Sequence, residues 1–418
     1  MVIGRHLEEP SMRSPSPRRL PVVALAALAV VGGLLSPAGA GPRADPEVLA
    51  SSVAPDNDRD CTTSRVPVEL DPATPATPGN DLGLGLGGLL RPVLDAVAGP
   101  QEVVAKLCLP AAPVDDPDLG PPDTVQLLIH GITYDHRYWN IADPEDPTGN
   151  RYSWEHAAAT AGYATLAIDR IGNGDSTHPP SALVDISTNA SVVRQLVDGL
   201  KAGTIEGPRG PVAFERVVLV GHSYGSMTSW IAASGNPDVD GVVITGATHN
   251  VREVHAPVSI ETGHYPAVLD PQFAGSGLDP LYITSQPGMR YDLFYAPGTD
   301  VHPVIVERDE ATKGTVTQPE LMNYPVIFRT PLDITAPVFY LIGDLDGIFC
   351  SQDPLDLGAD CSSPATVIAN EAPWLGDDVP SIDAHVTATA GHDLNAFGTA
   401  QESFDAAHDW LTATVAPR

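Results

Sequence analysis

From residue 122 onward the chain alternates between two hydrophobic rhythms. Short uninterrupted apolar runs recur in "DTVQLLIHG", "YATLAIDR", "RVVLVGHSYG", "VDGVVITGAT" and "APVFYLIGDLDGIF". Their length and β-branched content suit strands covered on both faces, which parallel sheets require. Between them lie segments with helical spacing. "SWEHAAATAG" opens on Ser153, a capping residue type, and stops at Gly162. "DISTNASVVRQLVDGLKAG" repeats apolar positions every three or four residues, and "SMTSWIAAS" runs as a helix to Gly235. "DAHVTATAGHDLN" reads as a further strand, and "AFGTAQESFDAAHDWLTATV" as a terminal helix. This alternation predicts an α/β fold, with a mostly parallel central sheet and helices on both faces.

Two stretches break the rhythm. Residues 41–120 are rich in Pro, Asp and Gly, with "TSRVPVEL" and "EVVAKLCLP" as two short strands. Between these, "DLGLGLGGLLRPVLDAVAG" fits either a surface helix or an irregular insert. Residues 248–335 carry many Pro, Gly and aromatic residues without strand–helix alternation, and read as a lid or cap inserted before a later strand. The expected organisation is therefore 1–40 leader, 41–120 N-terminal segment, 121–247 first part of the core, 248–335 cap and 336–418 second part of the core.

Charge narrows the possible partners. Lys and Arg number 22 against 53 Asp and Glu, a formal net charge of −31. Such a field repels phosphate backbones and anionic membranes, so nucleic acid is not an expected partner. The N-terminus has the pattern of an export signal. Arg13, Arg18 and Arg19 precede the 16-residue apolar run from Leu20 to Leu35, and "SPAGA" offers cleavage near Ala40. The run is shorter than the roughly 20 residues of a membrane span. A secreted protein without stable membrane insertion is expected. In that setting Cys61, Cys108, Cys350 and Cys361 suggest two disulfides. Three pairings are open, and pairing of sequence neighbours, Cys61–Cys108 and Cys350–Cys361, is preferred. A zinc site on these cysteines fails on spacing, because no CxxC or HExxH occurs, and no metal or organic cofactor is expected.

The chemistry concentrates in Gly221-His222-Ser223-Tyr224-Gly225, at the seam between a strand and a helix. A serine hydroxyl becomes a useful nucleophile only when a base takes its proton and a third group orients that base. After Ser223 come Asp344 and Asp346, behind the strand ending at Gly343, and His392, behind the strand ending at Gly391. His385 falls within that strand and His408 within the last helix, which leaves His392 on a turn at the same sheet edge as Ser223.

With "HG" at His130-Gly131, "DRIGNGDS", "GHSYG", "GDLD" and "GHDLN" in order at successive strand ends, residues 122–418 resemble the α/β-hydrolase fold family. The resemblance implies Ser223 as nucleophile, His392 as base and Asp346, favoured by spacing over Asp344, as acid. It also implies an oxyanion hole formed by the amides of Ile132 and Tyr224. His222 reads as a packed neighbour, Gly172 and Gly174 as turn residues, and Asp175 as solvated or capping. The Cys350–Cys361 bridge would brace the acid loop. Tyr265, Phe273, Tyr282, Tyr291, Phe294, Tyr295, Tyr324 and Phe328 either line an apolar pocket above Ser223 or pack the cap onto the core. The expectation is a secreted serine hydrolase acting on a small-molecule carboxylic ester or lactone with an apolar or aromatic part. Acyl transfer, amide cleavage and catalytically idle binding of an apolar ligand remain as alternatives.

Overall fold

Five runs with continuous apolar patterns form adjacent parallel strands, because each has side chains to bury on both faces. They are β3 (Thr124–Ile129), β4 (Ala164–Ile168), β5 (Arg216–His222), β6 (Gly241–Thr245) and β7 (Val338–Gly343). With β1 (Arg59–Val68), β2 (Gln101–Pro110) and β8 (Ile382–Thr387) they make an eight-stranded sheet in the order β1-β2-β4-β3-β5-β6-β7-β8. The pairs from β4 through β8 are parallel, whereas β1/β2 and β2/β4 are antiparallel. Edge strand β1 alternates in exposure, while β3 and β6 are buried along their whole length. Leu127, Leu166, Leu219 and Leu341 are fully inaccessible, each contributing on the order of 2 kcal/mol by leaving water.

The computed structural model describes residues 48, 51–70, 98–111, 120–252, 262–295, 299, 301–322, 327–328, 330–351, 353 and 356–418. The expected leader at 1–40, most of the "DLGLGLGGLLRPVLDAVAG" stretch and Tyr324 lie outside them.

Helix starts and stops follow local chemistry. In α1 (Trp154–Thr160) the Ser153 side chain accepts from the His156 amide, as a capping serine does. In α2 (Ile186–Ala202) Asp185 accepts from the Thr188 amide, and Gly203 closes the helix at φ 66°. α3 (Tyr224–Ala233) begins immediately after Ser223, and its residues are buried all round. The last helix starts later than the pattern suggested, at Ala400, and a separate 3-10 turn at Leu394–Ala396 precedes it.

Between β6 and β7 the irregular pattern conceals very short strands. His264–Pro266, Tyr282–Ser285 and Val316–Thr317 form a three-stranded antiparallel sheet, and α4 (Pro303–Thr312) packs nearby. Runs of two to four residues are too short to show a period of two. After β7 come α5 (Pro364–Glu371) and, following β8, α6 (Ala400–Thr414). Both preferred disulfides form: Cys61 and Cys108 face each other across β1/β2, and Cys350 pairs with Cys361.

Candidate active site

The sharp turn after β5 explains its glycines. A Cβ on Gly225 would lie 1.9 Å from the Ile129 carbonyl oxygen, and one on Gly221 2.5 Å from that of Gly225. Only glycine lets α3 leave the strand so close to β3. Ser223 sits on this turn at φ 53°, ψ −118°, a costly conformation for a side-chain-bearing residue. Its amide donates to the Thr245 carbonyl at 2.9 Å, which fixes the elbow to β6. Ser223 keeps 5% of its surface exposed.

The loops after β7 and β8 meet beside the elbow. Asp346 is buried; its Oδ1 accepts from the Ile348 and Phe349 amides at 2.9 and 3.1 Å. Its Oδ2 lies 2.8 Å from His392 Nδ1. Burial alone would raise the Asp346 pKa, but the adjacent imidazole and the two amides hold it below the usual carboxylate value. For His392 burial works downward, and the charge and hydrogen bond of Asp346 outweigh it, so the net shift is upward. His392 Nε2 is buried and makes no hydrogen bond, so it shares none with the Ser223 hydroxyl.

The alternatives separate cleanly. Asp344 is exposed and points away from this cluster's hydrogen bonds, its amide serving Thr387. His408 is buried in α6 against the Phe404 carbonyl, and His385 lies 3.4 Å from Glu402. His222 is a packed neighbour as expected. It stacks on Tyr138 at 4.3 Å between ring centres and bonds Thr245 and Asp393. Burial, and then the nearby His392, push its pKa well down, which keeps it neutral. Asp175 is exposed, as expected of a solvated turn residue.

The buried aromatic residues between β6 and β7 divide between two hydrophobic clusters, with Phe294 and Tyr295 in the main core. Phe273 and Tyr282 form a separate small cluster with Ala267 and Leu278. Phe294 reaches the site, 6.2 Å from the His392 ring, where Phe349 also stacks at 5.6 Å.

A polar shell around these residues escaped the sequence reading. Asp393 bonds both His222 Nε2, at 3.0 Å, and the Tyr134 hydroxyl. Burial drives its pKa up to about 6. Arg170, fully buried beyond β4, binds the His130 carbonyl at 3.0 Å and Glu320 at 2.6 Å. A charged pair such as Asp169-Arg170 directly at the end of an apolar strand was the visible signal. Asp135, His136 and Asp169 bring three potential ligand atoms together. Their atoms are already engaged, however: Asp169 with His136 and the Asp175 amide, Asp135 with Arg137. The Cys61, Cys108 and Glu155 group contains a disulfide rather than thiolates.

A serine on a strained elbow, and a histidine–aspartate pair on two later loops of a mainly parallel sheet, define the class to which the molecule belongs. Residues 126–406 match the alpha/beta hydrolase family, so the chain is a member of that family. Among solved structures it is similar to an esterase from Thermogutta terrifontis, with 14% identity over 84% of this chain and 99% of that one, at a TM-score of 0.47. It is also similar to a carboxylesterase from Bacillus subtilis, with 15% identity over 75% and 88% and a TM-score of 0.43. For a methylesterase from Arabidopsis the values are 14%, 69% and 99%, with a TM-score of 0.45. No curated protein matches the sequence.

Proposed function

We propose that the protein hydrolyses carboxylic esters through Ser223, His392 and Asp346. The observation that carries this reading is the 2.8 Å bond between His392 Nδ1 and Asp346 Oδ2, with Nε2 left without a hydrogen bond, in a chain that also holds Ser223 on a strained elbow. Asp346 fixes the tautomer and orientation of the imidazole. His392 Nε2 takes the hydroxyl proton as Ser223 Oγ bonds to the ester carbonyl carbon. The resulting oxyanion is held by the amides of Ile132 and Tyr224, the latter at the positive end of α3. Collapse breaks the bond to the alkoxide, which leaves with the proton from His392. Water then attacks the acyl-enzyme by the same route and releases the acid.

The segment at 248–335 acts as the cap over this site in our reading, and the small substrate has an apolar or aromatic part that meets Phe294 and Phe349. Export is part of the reading: two disulfides are at home in an oxidising compartment. Among the described residues no helix is long and apolar enough to cross a membrane. N-terminal sequencing of protein recovered from the culture medium should begin near Gly41.

Turnover of p-nitrophenyl esters of rising chain length, beside Ser223→Ala, tests the chemistry. Fluorophosphonate should label Ser223. Equal turnover by the variant would remove the nucleophile, and absence of label with a bound apolar ligand would favour the idle binder. Faster release from an anilide or a lactone than from the matched ester would redirect the substrate class.

A further inference from the structure

The turn from His130 to Thr133, which offers the Ile132 amide, has an unusual set of restraints. Each of its other polar groups that has a partner is tied down. Arg170 Nε donates to the His130 carbonyl at 3.0 Å, and its Nη2 to that of Gly131 at 3.3 Å. His130 Nε2 accepts from the Arg170 amide, so Nδ1 carries the proton and donates to the Gly131 carbonyl. The Ile132 carbonyl accepts from Thr133 Oγ1 at 2.7 Å. Thr133 itself lies at φ 57°, which is rare for a β-branched residue and needs outside support.

That support comes from the chain between β6 and β7. The Thr133 amide donates to the Thr315 carbonyl at 3.2 Å, and the Gly314 amide donates back to the Thr133 carbonyl at 2.8 Å. Arg290 Nη1 donates to Thr133 Oγ1 at 2.9 Å, while its Nη2 pairs with Asp309 at 2.7 Å. Glu320 lies 2.6 Å from Arg170. Two buried guanidinium groups therefore grip the turn, and both of their counter-ions belong to the β6–β7 connection. The same stretch is sewn to the core on its other side, with Thr315 Oγ1 donating to Gly172 and Thr317 Oγ1 to Val184. Pulling it away would leave Arg170 buried without its carboxylate, a severe penalty.

We propose that residues 313–320 are a fixed strap which, with Arg290, holds the oxyanion turn in its working conformation. Thr133, Arg290 and Glu320 are then positioning residues for ester hydrolysis, and any opening for substrate occurs elsewhere in the cap. This rests on the assignment of Ser223 and Ile132 above. A Cβ on Gly131 would lie 3.1 Å from that of Ser223, so small shifts of the turn move the oxyanion donor relative to the nucleophile.

Thr133→Val tests it first, since it removes both hydroxyl bonds without altering charge and with little change in volume. Losing a whole oxyanion donor costs about 100- to 1,000-fold in kcat, and a loosened one should cost about 10- to 100-fold. KM for a p-nitrophenyl ester should change less than about threefold, because the ground-state ester does not use the oxyanion donor fully. An arylboronic acid, whose adduct with Ser223 is tetrahedral, should lose affinity by the same factor as kcat. A merely structural defect would not produce that parallel loss. Thr133→Ser should restore both values. If Thr133→Val does not fold, Arg290→Lys keeps the charge opposite Asp309 but loses the fork to Thr133, and the same pattern is expected. Folded Thr133→Val or Arg290→Lys protein with unaltered kcat and boronate affinity would overturn the strap's role, even with Ser223→Ala inactive. Turnover by Ser223→Ala would instead overturn the underlying reading.

Discussion

The sheet and the β6–β7 connection are held together by different physics. Across β3–β7 the contacts are mostly aliphatic and hydrogen bonds run in regular ladders, so many interchangeable contacts share the work. In the connection the strands are two to four residues long, and a satellite apolar cluster of four residues stands apart from the main core. Its attachment to the core adds to apolar contacts from residues such as Ile283, Phe294, Ile305 and Val316 a set of directional pairs, including Arg170–Glu320 and the Thr133–Thr315 and Thr133–Gly314 bonds. Aliphatic packing tolerates one imperfect neighbour, whereas a buried charge without its partner is costly. The nucleophile proposed at Ser223 thus stands on a largely apolar platform, beside an accessory segment whose placement depends on particular polar atoms as well as on apolar contact.

The largest test concerns the platform. Ser223→Ala should lower kcat on a p-nitrophenyl ester by at least about 10⁴-fold with folding intact, read by steady-state kinetics beside circular dichroism. Asp346→Asn should cost about 10³- to 10⁴-fold, since it removes the charge and disturbs the tautomer of His392. A loss below tenfold would mean that the carboxylate only packs the loop.

Stability probes sharpen the contrast directly. Leu219→Ala, in the middle of the sheet, should cost about 2–5 kcal/mol in urea unfolding. Phe273→Ala, in the small cluster, should speed amide exchange mainly within residues 262–322, with a smaller effect on global unfolding. Equal global losses would show that the two regions unfold as one unit.

Opening the Cys350–Cys361 bridge with a double serine substitution should cost roughly 3 kcal/mol or less on loop-closure grounds. If the bridge braces the acid loop, kcat should fall in protein that remains folded. Full activity in that protein would reduce the bridge to a staple.

The smallest expected effect is on pH dependence. His392 has a raised pKa in the folded state, so it stays protonated, and unable to act as base, beyond the usual 6.5. The rise of kcat/KM with pH should have its midpoint above 6.5. By linkage, its contribution to stability is complete below 6.5 and lost as pH rises through the folded value. The Asp346 carboxylate, whose pKa is depressed, contributes above 3.8 and loses this as pH falls through its folded value. A midpoint below 6.5 would contradict the pairing of His392 with Asp346.

Much of the platform was readable because it is periodic or stereochemically special. Continuous apolar runs announced β3–β7, Ser153 and Gly162 marked the ends of α1, and two glycines around Ser223 announced a turn that only they can make. His392 could be singled out from His385 and His408 because it follows a strand instead of lying within a regular element. The polar shell was not readable in the same way. Asp393 and Tyr134 are 259 positions apart, and Arg170 and Glu320 are 150 apart. Neither pair leaves any periodic mark, because each depends on where two folded segments meet.

By itself, then, the amino-acid order determined the strand–helix rhythm, the elbow and the order of serine, acid and histidine, all of which are set by neighbours along the chain. Only the tertiary structure decided that Asp346 rather than Asp344 meets the imidazole, and that the aromatic residues of the connection divide between two clusters. It alone set residues 313–320 against the turn at 130–133. Those outcomes depend on desolvation and on geometry between distant segments, where a fraction of an ångström separates a bonded pair from an unmatched charge.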